Sequence, residues 1–209
     1  MMCNKYKITR EKLHFNGIVL HRIEALIDFN NVKKGDKGGW IENKSNLSQV
    51  GNCWVYDDAV VCNDAWVGGN AVVRDKAMMC NDAVVRDNAL VCGKALVSDN
   101  AVVKDNASVK GYSVVSGKAL VSDNAVVCDN AEVCGNANIC GDAIIEKMGD
   151  YIVFHNWWSS GRFFTYTKSN NVWKVGCFYG TGEQLIKKAY ADNEEKGKMY
   201  EKIVKLVKE

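Results

Sequence analysis

The residues able to do chemistry are few and badly placed for it. Histidine, the usual general base near neutral pH and a common zinc ligand, occurs three times, at His14, His21 and His155. His14 and His21 flank a turn where two strands would meet, and structural roles are expected for them. The nine cysteines (3, 53, 62, 80, 92, 128, 134, 140 and 177) include no C-x-x-C pair. Two thiols such as Cys62 and Cys80 without histidine make a poor zinc site. No Ser-His-Asp, Cys-His or paired-carboxylate arrangement is legible. We therefore expect no catalytic residue, no cofactor and no metal, and a chain that is not an enzyme. What remains is a cluster near the C-terminus: Trp157, Trp158, Arg162, Phe164, Tyr166, Lys168 and Trp173. Flat rings interleaved with cations stack bases or anchor protein partners. A small unit also needs aromatic rings for its own core. Strand alternation puts Arg162, Phe164, Tyr166 and Lys168 on one face, and that face is the expected binding surface.

Something must position these groups, and the sequence between them is periodic. From Cys53 the chain reads in sixes (CWVYDD, AVVCND, AWVGGN and onward to AII) through sixteen units without an insertion. The first position is alanine in fourteen units, and the third is Val, Ile or Met in all sixteen. Positions two apart on a strand share a side, so a small and a branched residue point inward together. Positions five and six draw on Asp, Asn, Gly and Lys, residues that suit tight corners and positive φ. One such unit cannot bury its inner face alone, so the units must coil and stack. Strict sixes give a triangular coil of eighteen residues per turn, about five coils in all. Six of the cysteines occupy the fourth position and read as small apolar fillers. Proline is absent, as suits a stack in which nearly every N–H is a ladder donor.

The middle residue of each short strand points outward. Thirteen of the sixteen are apolar. Sorting by eighteen puts Trp54, Val72, Leu90, Val126 and Ile144 on one side, Val60, Met78, Leu96 and Val114 on a second, and Trp66, Val84, Val102 and Leu120 on the third. Apolar stripes of this kind are uncommon on monomers. Branched residues also favour strands when exposed, which alone could account for a stripe, but we expect at least one face to be covered in a homo-oligomer, dimer or trimer, with Trp54, Trp66, Val72, Met78, Val84, Leu90, Leu96, Val102, Leu120 and Val126 as contacts.

Three units follow: residues 1–52 as an N-terminal hairpin and cap, 53–147 as the solenoid, and 148–209 as a small α+β unit. Asn16-Gly17 between alternating apolar runs signals a tight hairpin. Gly35, Gly38 and Gly39 lack the strand–loop–helix setting of a phosphate loop and read as a turn. The stretch from Tyr151 to Gly180 holds ten aromatics in thirty residues and reads as an antiparallel meander turning at Lys168 to Asn171. Thr181 with Gln184 is a capping box opening a helix through about Ala191. Asp192 or Asn193 caps a second helix with Tyr200, Ile203, Val204 and Val207 on its apolar face.

The net charge of +2 argues neither for nucleic acid nor against it, and conceals an acidic middle between basic ends. No run is long and apolar enough for a membrane span, and no leader is evident, so a cytoplasmic protein with no membrane partner is expected.

With Val61 to Ala65 and Val67 to Ala71, and so on down the chain, the sequence resembles the hexapeptide-repeat left-handed β-helix superfamily. HRIEALIDF, KGDKGGWIE and NLSQVGNCWV, leading into the repeats, resemble the YdcK-like group within it. The resemblance implies a left-handed parallel β-helix and, for that group, a phage or prophage origin. Acyltransferases of the superfamily place a histidine near the coils, and none lies in the repeats here. The expectation is a phage-encoded binding protein acting on a host protein or nucleoprotein complex, for instance inhibiting a CRISPR nuclease. The alternatives are an acyl or nucleotidyl transferase, a structural virion component, and a sponge for a nucleotide signal.

Overall fold

The computed structural model describes residues 4–157 and 160–208. A hairpin, β1 (Tyr6–Phe15) and β2 (Ile18–Ala25), leads to β3 (Lys37–Ile41), and sixteen two-residue strands follow, β4 (Trp54–Val55) to β19 (Ile144–Ile145). Each side of the solenoid pairs in parallel with the one eighteen residues on, as in Trp54↔Val72, Val60↔Met78 and Trp66↔Val84. This is the left-handed parallel β-helix expected from the repeat. The alanines and branched residues of positions one and three are buried in one continuous core from Ile23 to Ile145. At the corners, position five takes positive φ wherever Asp or Asn occupies it, for example 65° at Asp75 and 59° at Asp105. Short polar side chains tolerate that region best among residues with a Cβ.

The solenoid has about six turns rather than five. An extra turn lies upstream of Cys53, where Trp40–Ile41 pairs in parallel with Val60–Val61 and Leu47 bridges Val67. Ile41, Leu47 and Val55 take the inward position, spaced six and then eight residues apart. That two-residue insertion breaks the six-residue reading and hides the turn. The glycines expected as a plain turn are divided between two roles. Gly35 turns the chain with φ 95°, while Gly38 and Gly39 are buried in β3. A Cβ on Gly38 would stand 2.7 Å from the Trp54 ring.

Both ends of the stack are closed, by opposite chemistry. Most of the ladder bonds at the corners run from the N–H of one coil to the carbonyl of the next, as in Val126 N–H to Ala143 O at 2.8 Å. The first coil therefore has spare carbonyls and the last has spare N–H groups. At the first, Lys5 Nζ donates to Cys53 O (2.9 Å) and Gly51 O (3.3 Å), and the Tyr6 hydroxyl donates to Leu47 O (2.7 Å). At the last, Cys134 N–H donates to Tyr151 Oη (3.2 Å), Asn138 N–H to Thr165 Oγ1 (3.0 Å), Ile144 N–H to Ser169 Oγ (2.8 Å) and Glu146 N–H to Asp150 Oδ2 (2.9 Å). An unpaired edge would otherwise leave buried polar groups unmet or recruit another chain.

The second closure comes from a four-stranded antiparallel sheet, β20 (Tyr151–Asn156), β21 (Arg162–Thr167), β22 (Val172–Val175) and β23 (Phe178–Gly180), followed by α1 (Gly182–Asp192) and α2 (Glu194–Lys208). The Thr181–Gln184 capping box is formed, and Asn193 Oδ1 accepts from Lys196 N–H at 2.8 Å at the start of α2. One face of the sheet packs on the helices through Phe164, Trp173, Val175, Leu185, Tyr200 and Val204.

Two outer faces are partly covered by the hairpin end. Trp54 is 1% exposed beneath Tyr6 and Phe29, with ring centroids 6.1 and 5.4 Å away. It is a cap contact and not the free oligomer contact expected. Val60 is buried with Leu20, beside Leu13, Phe15, Ile18 and Met78. The other outer residues named as contacts, Val72, Met78, Val84, Leu90, Leu96, Val102, Leu120 and Val126, are half-buried, and Trp66 is exposed.

Candidate functional site

Alternation in the C-terminal sheet decides which groups meet the solenoid. Tyr151↔Thr167, Val153↔Thr165 and His155↔Phe163 are opposed pairs, and Lys174 lies opposite Thr165. These residues form the solenoid-facing side, since Tyr151 and Thr165 are the acceptors of the last coil. The opposite side is the helix core. The face expected to bind is thus largely covered by the helices. Phe164 and Trp173 are 0% exposed, because the two helices need a flat apolar floor. Tyr166 is half-buried, donates its hydroxyl to Asn171 Oδ1 at 3.2 Å, and with exposed Lys168 borders an open hollow of about 550 Å³ floored by Tyr151, Ile152, Leu206 and Val207. Trp157 is 77% exposed, and Trp158 lies outside the described residues.

Arg162, at the strand edge, lines a helix-side pocket with Asp192 and also reaches the other face. There a pocket of about 250 Å³ opens between the last coil and the sheet, lined by Asn136, Asn138, Arg162, Phe163, Thr165, Lys174 and Gly176. No lining residue is acidic. Neither Arg162 nor Lys174 forms an ion pair among the described residues. A Cβ on Gly176, at φ 56°, would stand 3.2 Å from Arg162 Cδ and Nη1, so the β22–β23 turn seats the guanidinium closely. Asn138 Oδ1 is buried without a hydrogen-bond partner among the described residues. Lys174 pulls the Cys140 thiol down, but burial dominates and that thiol is pushed up.

His155 adjoins this pocket, its ring stacked on Phe163 with centroids 4.8 Å apart. Its Nε2 lies 3.1 Å from the Gly161 carbonyl, which only accepts, so the proton sits on Nε2. Nδ1 is the ring nitrogen that this carbonyl does not engage, on a side chain that is exposed. His14 and His21 share a face of the hairpin but are diagonal neighbours, opposite Val19 and Lys12 respectively.

One pattern in the sequence marks the place of the pocket. The outward position is apolar in thirteen of sixteen units, and two of the three exceptions, Glu132 and Asn138, fall in the last coil. A polar residue replacing an apolar one where the repeat meets the cap marks a change of environment.

Cys128, Asp129 and Glu146 offer ligand atoms within 4.8 Å of one another. Burial pushes the Cys128 thiol up, toward the protonated form that does not bind metal. The Cys62 thiol, beside Cys80, is pushed up to about 11 by burial. Buried, protonated thiols of this kind are fillers.

No family model matches the chain. It is 37% identical over 65 residues to a protein of Escherichia coli (strain K12) named "Uncharacterized acetyltransferase YdcK", a match covering 27% of this chain and 20% of that protein. The match and the six-residue solenoid fit the hexapeptide-repeat superfamily. The expectation that the chain is not an enzyme is overturned here, because a relative named as an acetyltransferase points to an enzyme family. Nothing in the comparison supports the phage origin or the inhibition of a defence system. Among the described residues, no helix is long and apolar enough to cross a membrane.

Proposed function

We propose that the chain is an acyltransferase of the hexapeptide-repeat kind, working at the pocket between the last coil and the C-terminal sheet. The observation that carries this reading is the similarity to a protein named as an acetyltransferase. The chain matches only a fifth of that protein's length, so the activity is assigned here as a proposal. The repeats hold no histidine, and the base is assigned to His155. Its Nδ1 takes the proton from an acceptor amine or hydroxyl as that group attacks the acyl carbonyl, and the donor's thiolate leaves. The Gly161 carbonyl holds the ring in the tautomer this step needs. Arg162 and Lys174 supply positive potential for an anionic reactant.

Incubating the full chain with acetyl-coenzyme A and a pool of small amines and hydroxy compounds should yield a product one acetyl group heavier by mass spectrometry. His155→Ala should slow its formation by roughly 10²–10⁴, the usual contribution of a general base. Absence of any acetylated product from the wild-type chain contradicts the reading.

We also infer that copies associate through the face of Trp66, Val84, Val102 and Leu120. The hairpin covers parts of the other two faces, and Trp66 stands 37% exposed on this one.

A further inference from the structure

The acyl-transfer reading names a reaction but no reactant, and the pocket carries information about one. Its two cations, Arg162 and Lys174, share a lining that contains no carboxylate. Arg162 also reaches toward Asp192 on the helix side, whose carboxyl is held down chiefly by Lys196 and in small part by Arg162. Lys174 is therefore the cation for which the pocket itself supplies no counter-charge, and an anion is what both could share there. Lys174 is half-buried, which raises the cost of leaving its charge unpaired. Asn138 supplies the second, independent feature. Its backbone N–H is satisfied by Thr165 Oγ1 at 3.0 Å, while its side-chain Oδ1 is buried and unmet among the described residues. Buried acceptors without partners are rare in folded proteins and carry a desolvation cost until a donor arrives. The volume, about 250 Å³, falls below the roughly 300–1,000 Å³ typical of pockets for drug-sized ligands.

We infer that the pocket lined by Asn138, Arg162 and Lys174 binds a small molecule bearing both an oxyanion, carboxylate or phosphate, and an O–H or N–H donor. The oxyanion lies between the guanidinium and the ammonium, and the donor reaches Asn138 Oδ1. Phe163 forms the wall toward His155. In taking this molecule as a reactant of acyl transfer the inference rests on the acyl-transfer reading. The binding site itself stands without that reading.

Calorimetric titration of the full chain, with no acyl donor present, uses three probes: glycolate, acetate and inorganic phosphate. Glycolate carries the donor and acetate lacks it, so glycolate should bind about tenfold more tightly, the value of one added hydrogen bond at the upper end of its range. Arg162→Gln and Lys174→Gln should each weaken both by about tenfold or more. Asn138→Ala should erase the difference between glycolate and acetate while leaving acetate binding in place. Phosphate bound more tightly than glycolate, with the same dependence on Arg162 and Lys174, supports the site and identifies the oxyanion as phosphate. Tighter glycolate supports it and identifies a carboxylate. The inference is overturned if no probe binds saturably, if the cation variants leave binding unchanged, or if acetate equals glycolate in the wild-type chain. Binding without acetyl transfer would sink the enzymatic reading alone. Acetyl transfer without binding would sink this inference alone.

Discussion

At the scale of single residues, burial sets the ionisation of the groups that hold the stack together. The Cys62 thiol lies at about 11 against an ordinary 9.0, and the Tyr6 phenol at about 12 against 10.0, both chiefly through desolvation. The fold thus favours the protonated forms. Below pH 9.0 the folded and unfolded chains both keep the Cys62 proton, and stability does not depend on it. Between 9.0 and about 11 the unfolded chain loses that proton first, so stability falls as pH rises through the window. Urea midpoints measured across it should decline, and Cys62→Ala should remove up to roughly 2 kcal/mol of the decline. A decline of equal size in the variant contradicts the assignment. That six cysteines share one repeat position was legible, and Cys62, Cys92, Cys128 and Cys140 are buried there. Trp54 was misread because the hairpin packs over it, and nothing in a local six-residue pattern reports a distant segment.

At the scale of elements, the decisive event is the closure of a polar edge by side-chain oxygens. Thr165, on the solenoid-facing side of the sheet, accepts from Asn138 N–H at 3.0 Å. Thr165→Val keeps the shape and removes the acceptor, and should destabilise the chain by about 1–3 kcal/mol, the cost of a buried donor left unmet. Hydrogen exchange at the Asn138 amide should accelerate, while the Leu120 amide, one coil inward and bonded to Ala137 O, should keep its protection. Equal acceleration at both positions would mean that the threonine supports the whole solenoid and not its edge. The strands, the Asn16-Gly17 turn and the capped helices all followed from local signals. Which face of the meander met the helices did not, because alternation separates two faces without saying what covers either. Both faces of this sheet are partly apolar, so Phe164 and Trp173 were assigned to the surface and Phe163, Thr165 and Lys174 were passed over.

At the scale of the whole molecule, a solenoid closed at both ends leaves, among other places, its outer faces and the junction with the C-terminal unit open to other molecules. For the first, Val102→Glu in the middle of the free stripe should shift light-scattering mass toward a single chain. An unchanged mass would assign association, where present, to another surface. For the second, the period was legible without alignment while the extra upstream turn was hidden by the eight-residue step from Leu47 to Val55. The pocket needed the fold, since it brings Asn138 of the solenoid to Arg162 and Lys174 of the sheet. Under the proposed function this junction performs acyl transfer with His155 as base. Its most direct test is the rate of thiol release from acetyl-coenzyme A by the full chain with a saturating amine or hydroxy acid, compared with His155→Ala at matched thermal stability. We predict acceptor-dependent release that falls by roughly 10² or more in the variant; release that is absent, or undiminished by the substitution, would contradict the claim.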